Sequence, residues 1–242
     1  MPKEDRKSKN HQNWQLIARV LASPLVRTVY IYGPPGTGKT YAALRMGRVG
    51  KHPYSITLTE DTAAAEMRGF YLLKGTDGVW HDGPFVRAMR EGARLVINEL
   101  SHAAADVLAL LYPVLESFET ARLTLPTGET ISPAPGFHVV VTDNFPPDRL
   151  PEPLQDRFVA ILEVLEPHPD AFANLDPELR VLAESAAAIS DERRLSARRW
   201  QNIQALKDEF GLEQTCKLCC GPERGQMLFD AIQVALADRK VA

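Results

Sequence analysis

The octapeptide Gly33-Pro34-Pro35-Gly36-Thr37-Gly38-Lys39-Thr40 has the residue types and spacing to hold a chain of phosphates. Glycines at 33, 36 and 38 let the backbone curl until its N–H groups, and the N-terminus of a following helix, point at one anion. Lys39 adds a compact positive charge for the β and γ oxygens, and the Thr40 hydroxyl is a ligand for Mg²⁺. Tyr41 follows directly and is placed in the same nucleotide site. The pattern implies binding of a nucleoside triphosphate with Mg²⁺.

A second cluster supplies what bond cleavage would need. Arg94-Leu95-Val96-Ile97-Asn98-Glu99 is an apolar strand that ends in polar residues. Glu99 is the candidate general base, orienting and deprotonating an attacking water. Asn98 stands where a metal-binding carboxylate normally precedes that base. An amide oxygen can accept hydrogen bonds from metal-bound waters but lacks the negative charge a hard cation favours. Slow turnover, or compensation by another carboxylate, is therefore expected, and Asn98→Asp is expected to speed hydrolysis.

These residues must be carried by a sheet. Strands are predicted at Val29 to Tyr32, Ser55 to Thr59, Leu95 to Asn98, Val139 to Thr142 and Ala160 to Leu165. Helices are predicted between them at Lys39 to Arg48, Ala63 to Phe70, Pro84 to Glu91 and Ala103 to Phe118, with another at Asn13 to Ala22. Such alternation implies a parallel sheet covered on both faces, with ligand at the carboxyl edge of its strands. Two segments interrupt it as hairpins. One runs through Phe70 to Trp80 around Lys74-Gly75-Thr76-Asp77-Gly78, the other through Arg122 to Ile131 around Pro126-Thr127-Gly128. They read equally as surface decoration or as protrusions that touch a substrate or neighbour. Beyond Pro167-His168-Pro169 strand signals cease, and helices are predicted at Leu179 to Ala188, Ala197 to Phe210, Leu212 to Cys219 and Gly225 to Asp238.

Composition narrows the partners. A net charge of -3 over 242 residues gives no reason to expect a surface that coats nucleic acid, although Lys74 and Trp80 on one hairpin keep that reading open. The start, Lys3 to Lys9, is charged and has no apolar run, so neither a leader nor an anchor is expected there, and no stretch is long enough to span a bilayer. The cytoplasm is the simplest compartment. Cys216, Cys219 and Cys220 are read as apolar thiols on one helix face rather than as an incomplete zinc site.

Taken with the phosphate loop, four further stretches resemble the AAA+ ATPases of the MoxR type. They are Trp80 to Gly92, Asn98-Glu99-Leu100-Ser101-His102-Ala103, Leu123 to Glu129, and Leu154-Gln155-Asp156-Arg157-Phe158. That dynein-related group includes gas-vesicle ATPases and activators of Rubisco or nitric oxide reductase. The resemblance implies an α/β fold: a P-loop AAA+ core of five parallel strands with inserted β-hairpins over residues 1–167, and a small α-helical lid over 168–242. It implies that Asn144 is sensor 1, positioning the lytic water. Arg157 becomes the arginine finger that reaches an adjacent subunit's site, and Arg198 sensor 2, with Arg199 the near alternative. It further implies a homo-hexameric ring that hydrolyses ATP and remodels a client protein as a chaperone, with a partner carrying a von Willebrand factor A domain. A nucleotide-gated scaffold with little hydrolysis and a nucleic-acid-handling ATPase are the alternatives. The chain departs from the family at Asn98, where Asp is usual, and at His102, where Arg is common; His102 is read as a surface residue at a helix start.

Overall fold

A computed structural model of the protein describes residues 3–47, 50–187 and 195–241. Packing divides the chain into two compact units. One comprises Gln12–Pro34 and Lys39–Val164; the other comprises Met1–His11, Pro35–Gly38 and Leu165–Ala242.

The first unit is an α/β layer structure. Its elements are α1 (Lys3–Ala22, which begins in the second unit), β1 (Thr28–Tyr32), α2 (Lys39–Arg45), β2 (Tyr54–Thr57), α3 (Ala64–Arg68), β3 (Gly69–Lys74), β4 (Asp77–Asp82), α4 (Pro84–Glu91), β5 (Arg94–Asn98), α5 (Ala105–Val114), β6 (Leu123–Thr124), β7 (Thr130–Ile131), β8 (His138–Asp143), α6 (Glu152–Gln155) and β9 (Ala160–Glu163). Five strands form one parallel sheet in the order β2-β5-β8-β1-β9. Alternation along β1 sends Tyr30 to a core with Phe85, Met89, Leu95 and Ile97, and Val29 and Ile31 to the opposite core with Trp14, Ile17 and Val140. Because β5, β8 and β1 are neighbours, the residues that end them meet at one edge of the sheet.

Two local features hold β5 in the sheet. The helix α4 begins on Gly83-Pro84, where a proline needs no N–H partner, and ends at Gly92, whose N–H caps Ala88 and Met89. It buries Phe85, Val86, Ala88 and Met89 against β5 and its neighbours. At the start of β5, the buried Arg94 guanidinium donates to the carbonyls of Ala43 (2.7 Å), Met46 (2.8 Å) and Leu21 (3.3 Å). It thereby ties the C-terminal ends of α2 and α1 to the sheet. Burial lowers its pKa to about 10. Its Nε also donates to His138 Nε2 at 2.6 Å, which requires a neutral imidazole with its remaining N–H on the Gly136 carbonyl at 2.8 Å.

Both inserted hairpins are present. In β3–β4 the two-residue turn Gly75-Thr76 pairs Lys74 with Asp77, and Tyr71 meets Trp80 edge to face at 5.1 Å. The short ladder β6–β7 is pinned to α4 by the two-pronged Arg90–Glu129 pair at 2.7 and 2.6 Å.

In the second unit, α7 (Pro177–Ala187), α8 (Ala197–Phe210), α9 (Leu212–Cys220) and α10 (Pro222–Val241) enclose Leu179, Ala183, Trp200, Ile203, Cys216 and Ile232. Cys216 is buried there, and burial raises its thiol to about 11. Among the described residues no three His, Cys, Asp or Glu side chains are grouped to hold a metal ion, and no helix is long and apolar enough to cross a membrane.

The elements differ from the sequence reading chiefly at their ends. Helix α1 starts at Lys3 rather than Asn13, because its polar first half has no apolar periodicity to reveal it. The helix expected from Ala103 to Phe118 is shorter at both ends: a 3₁₀ turn at Leu100–His102 precedes it, and α5 runs only from Ala105 to Val114, stopping just after an internal Pro113. The last helix begins at Pro222, where proline suits a first turn, rather than at Gly225. Arg48 and Ala188, the ends of two expected helices, lie outside the described residues.

Candidate active site

The phosphate loop joins β1 to α2, and two of its glycines are required by contact as well as by conformation. Gly33 sits at φ +144°, where a Cβ would stand 2.0 Å from the Val164 carbonyl oxygen. Gly36 sits at φ +76°, where a Cβ would stand 2.2 Å from Ser196 Cβ, within the second unit. Lys39 is buried and donates to the carbonyls of Gly33 (2.8 Å) and Pro34 (2.9 Å) and to Asn144 Oδ1 (3.1 Å). Burial lowers its pKa to about 8, against the opposing pull of the Glu99 and Asp143 carboxylates. An ammonium held by neutral oxygens inside a loop of left-handed glycines fits the oxygens of a polyphosphate, which would replace those acceptors.

Thr40 donates its hydroxyl to Asn98 Oδ1 at 3.1 Å, leaving its lone pairs free for a cation. Asn98 Oδ1 also accepts from the Thr142 hydroxyl at 2.7 Å. The other end of the amide donates to Ser55 Oγ and to the Ile56 carbonyl, both at 3.2 Å. A carbonyl can only accept, so this packing fixes which way the amide faces. Thr40 therefore fits Mg²⁺ as a hydroxyl ligand, while Asn98 Oδ1, already accepting from Thr40 and Thr142, fits the ion's outer shell through that hydroxyl, and the surroundings of Asn98 are built for an NH₂. That arrangement runs against the expectation that a carboxylate at 98 would improve the site.

Glu99 follows β5 directly in the left-handed region, at φ 59° and ψ 47°, alone among the described non-glycine residues in having a positive φ. A side chain there costs about 1–2 kcal/mol. The turn aims its carboxylate at Asn144, whose Nδ2 donates to both carboxylate oxygens at 2.9 Å. Since Asn144 also accepts from Lys39, one amide joins the loop cation to the candidate base.

The structure thus brings Lys39, Thr40, Asn98, Glu99 and Asn144 together in one hydrogen-bonded cluster. Arg157 is engaged elsewhere in the same unit. Its guanidinium pairs with Glu116, donates to the Pro153 and Tyr112 carbonyls, and lies 5.1 Å over the Tyr112 ring. Arg198 belongs to the second unit, exposed in the first turn of α8 behind the N-cap Ser196, with Arg199 equally exposed. Tyr41 is exposed, as is His102, whose ring meets Phe145 at 6.2 Å.

One residue of the cluster had no role in the motif reading. Asp143 is fully buried between β8 and the 3₁₀ turn after Glu99, and accepts hydrogen bonds from Ser101 N (2.7 Å), Ser101 Oγ (2.9 Å) and Phe145 N (3.1 Å). Burial, together with this carboxylate, raises the neighbouring Tyr30 phenol far above its usual range. The only sequence signal was local: an Asp two residues before Phe145-Pro146-Pro147 marks a side-chain-capped turn.

Residues 28–158, more than half of the chain, match the AAA domain (dynein-related subfamily). The chain belongs to that family. Membership implies a nucleotide-binding ATPase fold, and the resemblance to MoxR-type AAA+ ATPases drawn from the motifs stands. Protein NorQ of Paracoccus denitrificans is 42% identical over 120 residues, covering 48% of this chain and 43% of that one. The denitrification regulatory protein NirQ of Pseudomonas aeruginosa is 36% identical over 118 residues, covering 48% and 45%. The matched stretch thus spans less than half the length of these relatives. Among solved structures, NtrX from Brucella abortus superposes with a TM-score of 0.58 at 14% identity over 82% of this chain and 49% of its own. A second NtrX structure, in complex with ADP, gives 0.56 at 15% identity over 85% and 53%. At that identity the likeness is one of fold.

Proposed function

We propose that the protein is an ATP-hydrolysing subunit of a MoxR-type ring, assembled as a homo-hexamer, that remodels or activates a client protein. The observation that supports this reading best is the linkage from Lys39 through Asn144 to Glu99, with Thr40 bonded to Asn98 beside it. Bound Mg·ATP would supply the phosphoryl group and the electrophilic metal that disperses its charge. Lys39, the loop N–H groups and Thr40 hold the phosphates; Glu99 orients and deprotonates the attacking water; Asn144 positions that water and Glu99 together. Arg157 acts on the neighbouring subunit's site, and Arg198 acts as sensor 2 from a lid at residues 168–242 onto a core at 1–167. Motion between core and lid reaches the client through the hairpins. The exposed apolar side chains Phe70, Tyr71, Leu72, Leu73 and Val79 on β3–β4 favour a protein client over nucleic acid. The denitrification named for the Pseudomonas relative makes an enzyme of that process the first client to test, together with a partner bearing a von Willebrand factor A domain.

The experiment is phosphate release and nucleotide titration on the assembled protein. Lys39→Ala should abolish ATP binding, because Lys39 holds charge present in the ground state. Glu99→Gln should keep ATP bound while turnover stops, because Glu99 acts only on the water. Equal loss of affinity in both variants would overturn these roles. A second reading, a nucleotide-gated scaffold with little hydrolysis, is favoured by the amide packing of Asn98. Under it the parent chain binds ATP and releases almost no phosphate, and client captured on Glu99→Gln is captured equally by the parent.

A further inference from the structure

We propose that Asp143 is a positioning residue that holds the Glu99 turn and the Asn144 turn in register. The inference rests on the reading of Glu99 and Asn144 as the hydrolytic pair. Glu99 occupies a strained backbone conformation, and such a conformation persists only where its surroundings over-determine it. The restraints are few and identifiable. Glu99 N donates to the Thr142 carbonyl at 2.7 Å, and His102 N closes the turn on the Glu99 carbonyl at 3.0 Å. Between these, Ser101 gives both its N–H and its hydroxyl to the Asp143 carboxylate, and the same carboxylate accepts from Phe145 N, on the far side of Asn144. The Asp143 carbonyl in turn accepts from Gly33 N, at the entrance to the phosphate loop, at 3.3 Å. One buried residue thus fixes the turn that follows Glu99 and the peptide that follows Asn144, and touches the start of the loop that carries Lys39.

The site demands a carboxylate in particular. Oδ2 faces the Ser101 N–H, and Oδ1 faces the Phe145 N–H as well as the Ser101 hydroxyl. An amide at 143 would set its NH₂ against a backbone N–H in either orientation, leaving a buried donor without an acceptor. Asp143 itself makes no bond to Glu99 or Asn144 side chains among the hydrogen bonds described above, so its effect passes through the backbone.

The test compares Asp143→Asn and Ser101→Ala with the parent protein in two ways. In the nucleotide-free chain, amide hydrogen exchange should quicken at Glu99, Ser101, His102 and Phe145 while Leu95 to Ile97 and α4 keep their protection. In the assembled enzyme, Asp143→Asn should lower kcat roughly 10²-fold with KM for ATP within about twofold, the cost expected of a small misplacement of a catalytic group. Ser101→Ala, which keeps the N–H bond, should show the same pattern more weakly, and it remains informative if Asp143→Asn fails to fold. Combined with Glu99→Gln, Asp143→Asn should add no further loss of kcat, since the group it positions is already disabled. Exchange that rises uniformly across the sheet, or kcat and KM that move together, would reduce Asp143 to a general structural role and overturn the inference. A parent that releases no phosphate sinks the functional reading instead, and the exchange pattern still decides whether Asp143 holds the two turns.

Discussion

Replacing Asn98 by Asp is the perturbation that separates the motif from its surroundings. Motif logic expects a gain: a carboxylate would strengthen the metal shell, and a tenfold faster turnover corresponds to roughly 1.4 kcal/mol off the barrier. The structure leads to a different result. In the parent, the amide NH₂ donates to Ser55 Oγ and the Ile56 carbonyl, both at 3.2 Å. With Asp, both bonds are lost at about 1 kcal/mol each, although the Ser55 hydroxyl can turn and donate to the new oxygen. The Ile56 carbonyl cannot adapt, and an oxygen anion facing it adds about 1–3 kcal/mol. The net cost to the metal-free chain is about 2–4 kcal/mol, which for a protein of this length lowers Tm by roughly 4–16 °C. Thermal unfolding in chelator near neutral pH measures it directly. Adding Mg²⁺ and ATP should shrink the deficit, because the carboxylate then has a cation to face. Turnover at saturating Mg²⁺ should stay at or below that of the parent. An unchanged or raised Tm in chelator, accompanied by faster hydrolysis, would refute the argument that the pocket is built around the amide.

Two other outcomes are expected. Lys39 titrates at about 8 in the free chain, and phosphate oxygens would raise that value, so binding takes up a proton only above it. ATP affinity measured by titration should be flat below pH 8 and fall above it, by up to about tenfold per unit, and Lys39→Arg should remove the slope because a guanidinium stays charged. A flat profile through pH 9 and 10 in the parent would contradict the buried ammonium. Arg157→Ala should lose the Glu116 pair and the Tyr112 contact, a cost of about 1 kcal/mol or less in stability, and lower turnover by roughly 10³-fold if the residue acts as a finger. Mixing it with Lys39→Ala chains rebuilds interfaces with a sound loop and a sound finger, so activity should exceed that of either variant alone; co-assembly without recovery would confine Arg157 to its own subunit.

What the sequence determined by itself is what contiguous residues can encode. The phosphate loop, the strand that ends in Asn98-Glu99 and the two hairpins are legible because glycine placement, apolar runs and turn residues act over a few positions. Helix α1 shows the limit of that signal: its polar half forms a helix without an apolar stripe to announce it. Tertiary structure decided the partners. The strand order β2-β5-β8-β1-β9 sets Ser55 and Ile56 beside Asn98, Asp143 beside Ser101, and Asn144 between Lys39 and Glu99. It also carries Arg157 to Glu116 rather than leaving it free. None of these pairings is written in local residue order, because a hydrogen bond is selected by which groups are buried together, and that depends on crossovers joining strands far apart in the chain. Residue types therefore announced which atoms could do the chemistry, and only the folded sheet settled which of them are buried, strained or already occupied.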